Sequence, residues 1–228
     1  MKSLVFDTGP LITLSLNNLL WILKPLKEQF KGEFFITKSV KREVIDKPLE
    51  SKKFKYEAIQ ILKLLEEGII KLVDDNKIKY KANFLFNEIN SFFKAHDNFI
   101  KIAHYAEIET IAAALVLNSD AIVIDEFITR NLVENPNLVH ERLENKLHLV
   151  VKADEQKIKD FKKIVNLTII RTFEIVLIAY EMGLFKEYYL KLPNSKRTLL
   201  EGLLWGIKLN GCSVSEDEIK EALKIEIS

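Results

Sequence analysis

The sequence is short of most things that would classify it at a glance. It holds one cysteine, Cys212, in 228 residues. That excludes an internal disulfide framework and a cysteine-rich zinc module, and it fits a reducing cytoplasm. Net charge is also nearly absent, because 34 Lys and Arg face 33 Asp and Glu. No global basic field marks a nucleic-acid binder, so any such surface has to be a local patch. A long uncharged apolar run is missing too. The most apolar later stretch, residues 167–185, carries Arg171, Glu174 and Glu181, which a bilayer core would penalise heavily. The first apolar run is too short for a signal peptide and contains Asp7. The expectation is a soluble, cytoplasmic chain without a membrane span. It shows no low-complexity tract and no internal repeat.

What is present is organised around the opening run Ser3-Leu4-Val5-Phe6-Asp7-Thr8-Gly9-Pro10. Leu4, Val5 and Phe6 read as a strand buried on both faces, as in parallel sheets. Asp7 then falls at the strand's carboxyl end, where open α/β sheets place their ligands. Pro10 suits the first turn of a following helix. Further strands are expected at residues 34–36, 69–73, 121–124 and 147–151. Helices are expected at residues 17–30, kinked or split by Pro25, and at 40–45, ending before Pro48. Another covers residues 53–67, with Ile59, Leu62 and Leu65 on its apolar side. Residues 103–118 form the clearest helix, followed by 127–133 and 136–146. The aromatic-rich segment 74–97 reads as a helix packed on the core. After residue 152 the pattern turns helical, over 161–182, 195–209 and 215–225, with Ser215 and Glu218 as a capping box. Residues 225–227 are too short to count as a strand. The division is therefore an α/β domain over residues 1–152 and an all-helical extension over 153–228.

Two strands end in acids, at Asp7 and at Asp125-Glu126, and two helices carry acids near their starts, at Glu43 and Glu107. In a parallel sheet, strand carboxyl ends and helix amino ends share one edge. Clustered carboxylates repel and raise one another's pKa, and a divalent cation relieves that repulsion. Mg²⁺ and Mn²⁺ favour oxygen ligands and keep several waters, and such ions activate water and neutralise charge on a phosphodiester.

The ordered set resembles the PIN-domain family of metal-dependent ribonucleases, which includes VapC-like toxins and ribosomal-RNA-processing enzymes. The matching stretches are Phe6-Asp7-Thr8-Gly9-Pro10, Ile36-Thr37-Lys38-Ser39-Val40-Lys41-Arg42-Glu43, Ala106-Glu107-Ile108-Glu109-Thr110-Ile111-Ala112 and Ala121-Ile122-Val123-Ile124-Asp125-Glu126. They span about residues 1–150. The resemblance implies a three-layer α/β/α sandwich with a five-stranded parallel sheet. It implies an endoribonuclease in which Asp7, Glu43, Glu107 and Asp125 bind Mg²⁺ or Mn²⁺, assisted by Glu126. Thr8 would orient Asp7 from behind, and no covalent enzyme intermediate would form. The sequence departs from the family in four respects. Val123 and Ile124 stand where Ser or Thr is common, Glu replaces Asp at 107 and 126, residues 74–105 are long, and the small toxins have no helical tail.

Several choices stay open at this level. Glu109 lies two residues from Glu107, on another face of the helix, and reads as solvated or a secondary contact. Asp125 is favoured over Glu126 because it ends the strand directly. Lys38, Lys41 and Arg42 surround Glu43 and are candidate contacts to RNA phosphates. His96 and His104 read as structural. The expected partner is RNA, with a homodimer or a protein inhibitor also conceivable. The rival readings are an inactive scaffold binding RNA or protein and, lower in rank, a DNA flap nuclease.

Overall fold

The computed structural model describes residues 2–226. In chain order, β1 (Ser3–Phe6) runs into α1 (Thr8–Leu16). A 3-10 turn (Leu20–Ile22) leads to α2 (Leu23–Phe30), then β2 (Glu33–Thr37). α3 (Lys38–Lys41) continues through a π-helical turn (Arg42–Asp46) into α4 (Lys47–Glu50). α5 (Lys55–Glu66), β3 (Ile70–Val73) and α6 (Asn76–Ile89) follow. A hairpin of β4 (Phe93–Ala95) and β5 (Asn98–Phe99) precedes α7 (Tyr105–Leu117) and β6 (Ala121–Val123). Next come α8 (Phe127–Glu134), α9 (Pro136–Leu147), β7 (Lys152–Ala153), α10 (Glu155–Ile164) and β8 (Thr168–Ile170). The chain closes with α11 (Thr172–Glu181), a 3-10 turn (Lys186–Tyr188), α12 (Ser195–Leu209) and α13 (Glu216–Glu226).

The main sheet has the order β3-β2-β1-β6-β8, and each pairing is parallel. β1 sits at its centre, paired with β2 on one side and β6 on the other, and both its faces are covered. Alternation along the strands divides the core in two. Leu4, Phe6, Phe34, Ile36 and Val123 face one helical layer, and Val5, Ile122 and Ile124 face the other. This is the expected α/β/α sandwich, with C-terminal helices. β4, β5 and β7 form a separate small antiparallel sheet.

The fifth strand is not where the sequence pattern puts it. Residues 147–151 form no strand: α9 runs on to Leu147, His148 closes it at a φ of 53°, and Val150 is exposed. The sheet is completed by β8, inside the stretch read as one helix over 161–182. The helix instead ends at Ile164, and Ile169 pairs beside Ile122. The division at residue 152 therefore does not follow the sheet's edge. The tail also shares its core with the sheet. Phe173, Val176, Leu200, Leu204 and Ile219 lie in one apolar cluster with Phe6, Leu11 and Leu14.

Smaller differences have local causes. Pro25 is the third residue of α2 and lies in its first turn, where N–H groups have no intrahelical partner to lose. Pro48 does not end its helix; the wider π turn just before it gives the proline ring room that a regular helix would deny. On α5 the buried residues are Ala58, Ile61 and Leu64, while Ile59 is exposed. Phe92 and Phe93 lie buried beyond the end of α6, whereas Phe84 is exposed on it. Ser215 and Glu218 do form the reciprocal capping box. Ile227 lies outside the described residues.

Candidate active site

Asp7 ends β1 and begins α1, and its N–H donates to the Val123 carbonyl at 3.0 Å. Its side chain is buried. The Thr110 hydroxyl lies 3.5 Å from Asp7 Oδ1 and bonds more closely, at 3.0 Å, to the Ala106 carbonyl. Burial raises the Asp7 carboxyl from an ordinary 3.8 to about 7. Glu107 and, to a smaller extent, Glu43 push the same way. The Thr8 and Gly9 backbone N–H groups, at the start of α1, pull it down only in part.

Glu43 reaches this edge from the π turn, and the Thr8 hydroxyl donates to its Oε2 at 2.9 Å. The Thr8 hydroxyl, expected to orient Asp7, thus bonds Glu43, and only the Thr8 N–H reaches Asp7. Glu107 lies in the first turn of α7. Its Oε2 accepts from the His104 N–H and from the Thr129 hydroxyl, each at 2.9 Å. Burial lifts the Glu107 carboxyl above its usual range and Glu126 adds to the rise, while those two hydrogen bonds oppose it. Glu126 caps α8 by accepting from the Thr129 N–H at 2.7 Å. Asp7, Glu43, Glu107 and Glu126 therefore share one electrostatic neighbourhood. None of the four forms an ion pair with Lys, Arg or His among the described residues. Thr110 and Thr129 were not singled out in the sequence. Their signal is positional, since Thr110 follows Glu107 by three residues on the same helix.

A family model described as a PIN domain matches residues 3–167. The chain belongs to the PIN-domain family. No curated protein and no solved structure matches it. PIN domains are in general nucleases of the metal-using kind, which accords with an acidic edge at the carboxyl ends of β1 and β6.

The match to the PIN domain stops one residue before β8, yet β8 and α11 determine where Asp125 goes. Asp125 is buried and accepts from the Thr172 N–H on Oδ1 and from the Thr172 hydroxyl on Oδ2, both at 2.7 Å. The Cys212 thiol lies against it and is pushed up by burial, with Asp125 adding to the rise. Asp125, expected as a metal ligand, thus has both carboxylate oxygens engaged by Thr172, and alternation explains its direction. Val5 pairs with Ile122 and Phe6 with Val123, so Asp7 falls on the face of Ile122 and Ile124. Asp125 falls on the opposite face, toward the tail, while Glu126 caps α8 and acts on Glu107.

The remaining candidates are also placed. Glu109 is buried, not solvated, and accepts from the Ser39 N–H at the start of α3 at 2.9 Å. Lys38 pairs with Asp74 at 3.4 Å and Lys41 with Asp46 at 2.5 Å, while Arg42 is exposed. His96 and Asp97 make the positive-φ turn of the β4–β5 hairpin, and His104 caps α7. Among the described residues no three His, Cys, Asp or Glu side chains converge closely enough to hold an ion as they stand. The donor set nonetheless fits a hard divalent cation in kind and in charge. It consists of carboxylate oxygens, uncompensated by any ion pair, around a buried acid whose neighbours resist its ionisation. Among the described residues no helix is long and apolar enough to cross a membrane.

Proposed function

We propose that this PIN domain is a divalent-metal-dependent endoribonuclease that hydrolyses RNA phosphodiester bonds in the cytoplasm. Asp7, Glu43 and Glu107 hold Mg²⁺ or Mn²⁺, with Glu126 assisting. When bound, such an ion neutralises charge on the phosphodiester and makes water a better nucleophile. The chain's own residues prepare the edge for it. Thr8 fixes Glu43 by one oxygen, and Thr129 and the His104 N–H fix Glu107 by one oxygen. The second oxygen of each carboxylate is left for a ligand. Asp7, buried at the end of the central strand, anchors the group.

The observation that carries this reading is the buried Asp7 carboxyl, lifted to about 7 with Glu107 and Glu43 acting on it and no cation of the protein paired with it. The test is cleavage of a labelled single-stranded RNA with Mn²⁺ or Mg²⁺, wild type beside Asp7→Asn. Metal-dependent cutting that disappears in the variant supports the reading; equal cutting by both proteins overturns it. The rival, an inactive scaffold, draws on the fact that no three acids converge among the described residues. RNA binding without cleavage in any divalent metal decides for that rival.

A further inference from the structure

A groove of about 380 Å³ opens beside the acidic edge, with Glu107 and Glu126 in its lining. Lys101, Arg142 and Lys146 supply its cations, and Ile128, Ile102 and Leu147 its apolar lining. Lys101 comes from the loop before α7, and Arg142 and Lys146 lie one turn apart on the exposed side of α9. Arg142 stacks over the Phe127 ring at 4.3 Å, which restrains its guanidinium. None of the three cations forms an ion pair among the described residues. Of the three contacts the sequence offers, Lys38 and Lys41 are by contrast already matched with Asp74 and Asp46, and Arg42 is exposed.

We infer that this groove is a nucleotide subsite for single-stranded RNA, holding the nucleotide next to the bond that is cut. The inference rests on the nuclease reading for the adjoining edge. Its own support is the combination of features in one concavity. An apolar lining suits the face of an unstacked base and its ribose, and three unneutralised cations suit the flanking phosphates. The volume is that of about one nucleotide, and a base inside a duplex cannot enter it, whereas single-strand bases can be splayed out. Cations beside the acids also fix direction. A strand held by Lys101, Arg142 and Lys146 is delivered to Glu107 and Glu126, an edge that would otherwise repel its phosphates.

The test is fluorescence anisotropy of a labelled single-stranded oligoribonucleotide without divalent metal, across a salt series. It compares wild type, the double variant Arg142→Gln/Lys146→Gln and the control Lys38→Gln/Lys41→Gln. All four substituted residues are on helix surfaces, and thermal unfolding checks that each variant is folded. The groove variant is expected to bind about tenfold more weakly and to lower the salt slope by about 1.4, at about 0.7 per lost phosphate contact. The control should stay within about twofold of wild type, since its cations are already paired. Wild-type-like binding by the groove variant overturns the inference, as does duplex RNA binding as tightly as the single strand. Failure of wild type to bind the RNA overturns it too. Cleavage separates the two readings. Groove-dependent binding without metal-dependent cutting removes the nuclease and leaves the subsite. Metal-dependent cutting with a KM unchanged in the groove variant does the reverse.

Discussion

One threonine, Thr172, satisfies both carboxylate oxygens of Asp125, with its backbone N–H on one and its hydroxyl on the other. The contact joins the end of β6 to the first residue of α11, forty-seven positions along the chain. It ties a residue with the sequence signature of a metal ligand to the tail.

Asp125→Ala is therefore expected to act on stability. It leaves a buried N–H and a buried hydroxyl without partners, and the loss should be about 3 kcal/mol. Asp125→Asn keeps an acceptor and should lose roughly 1 kcal/mol. Urea denaturation gives both values. Calorimetric Mn²⁺ titration of the folded Asn variant should match wild type, and a large loss of metal affinity there would return Asp125 to the site.

The metal-free protein should lose stability as the pH rises. The Asp7 value is raised in the folded state, from 3.8 to about 7, so the folded chain holds that proton more tightly than the unfolded chain. The contribution is fully present below about pH 4 and is lost as the pH rises through about 7. Between about pH 5 and pH 8 the loss should be roughly 3 kcal/mol. Urea midpoints of chelator-treated wild type and Asp7→Asn measure it, because the variant lacks the group. A difference between the two proteins that does not change with pH contradicts the assigned burial and repulsion.

Thr8→Val tests whether the hydroxyl that holds Glu43 serves ligand binding. The side chain is replaced by one of similar shape, so stability should change by about 1 kcal/mol or less. Mn²⁺ affinity should fall about tenfold or more, as is usual when a ligand's orienting partner is removed. Thr129→Val makes the matching test at Glu107. Unchanged metal affinity in both variants would leave the two hydroxyls with a packing role only.

A chain ending at Leu167 contains the whole stretch matched by the PIN-domain model, yet it should not fold cooperatively. It lacks β8, and it loses Phe173, Val176, Leu200, Leu204 and Ile219 from the cluster that covers Phe6, Leu11 and Leu14. The exposed apolar surface should show as dye binding and as a broad denaturation profile. A sharp transition with native-like near-ultraviolet dichroism would make the tail a true appendage.

Much of the edge was legible because it is written in local patterns. Apolar runs ending in an acid identify β1 and β6, and a helix-start acid is visible at Glu107. Glu43 is legible only through its spacing from the preceding strand, and the π turn that carries it leaves no clear sequence mark. The choice between Asp125 and Glu126 depends on which face each residue takes. That follows from the register of β1 against β6, and the sequence does not display it. β8 was hidden because its three residues sit between two apolar helical patterns whose spacing runs on across it. Leu147, Leu149 and Val150 misled for the converse reason. They have strand composition, but α9 takes the first and the surface takes the other two.

The tail's place in the core has a consequence for the order in which the protein is made. Chains emerge from the ribosome amino end first. All four acids of the edge are translated before the first residue of β8. The nascent chain thus carries its full acidic set while the outer strand, the partner of Asp125 and one wall of the apolar layer are still missing. Synthesis must run into the last helices before the central strand, which was made first, is covered on both sides.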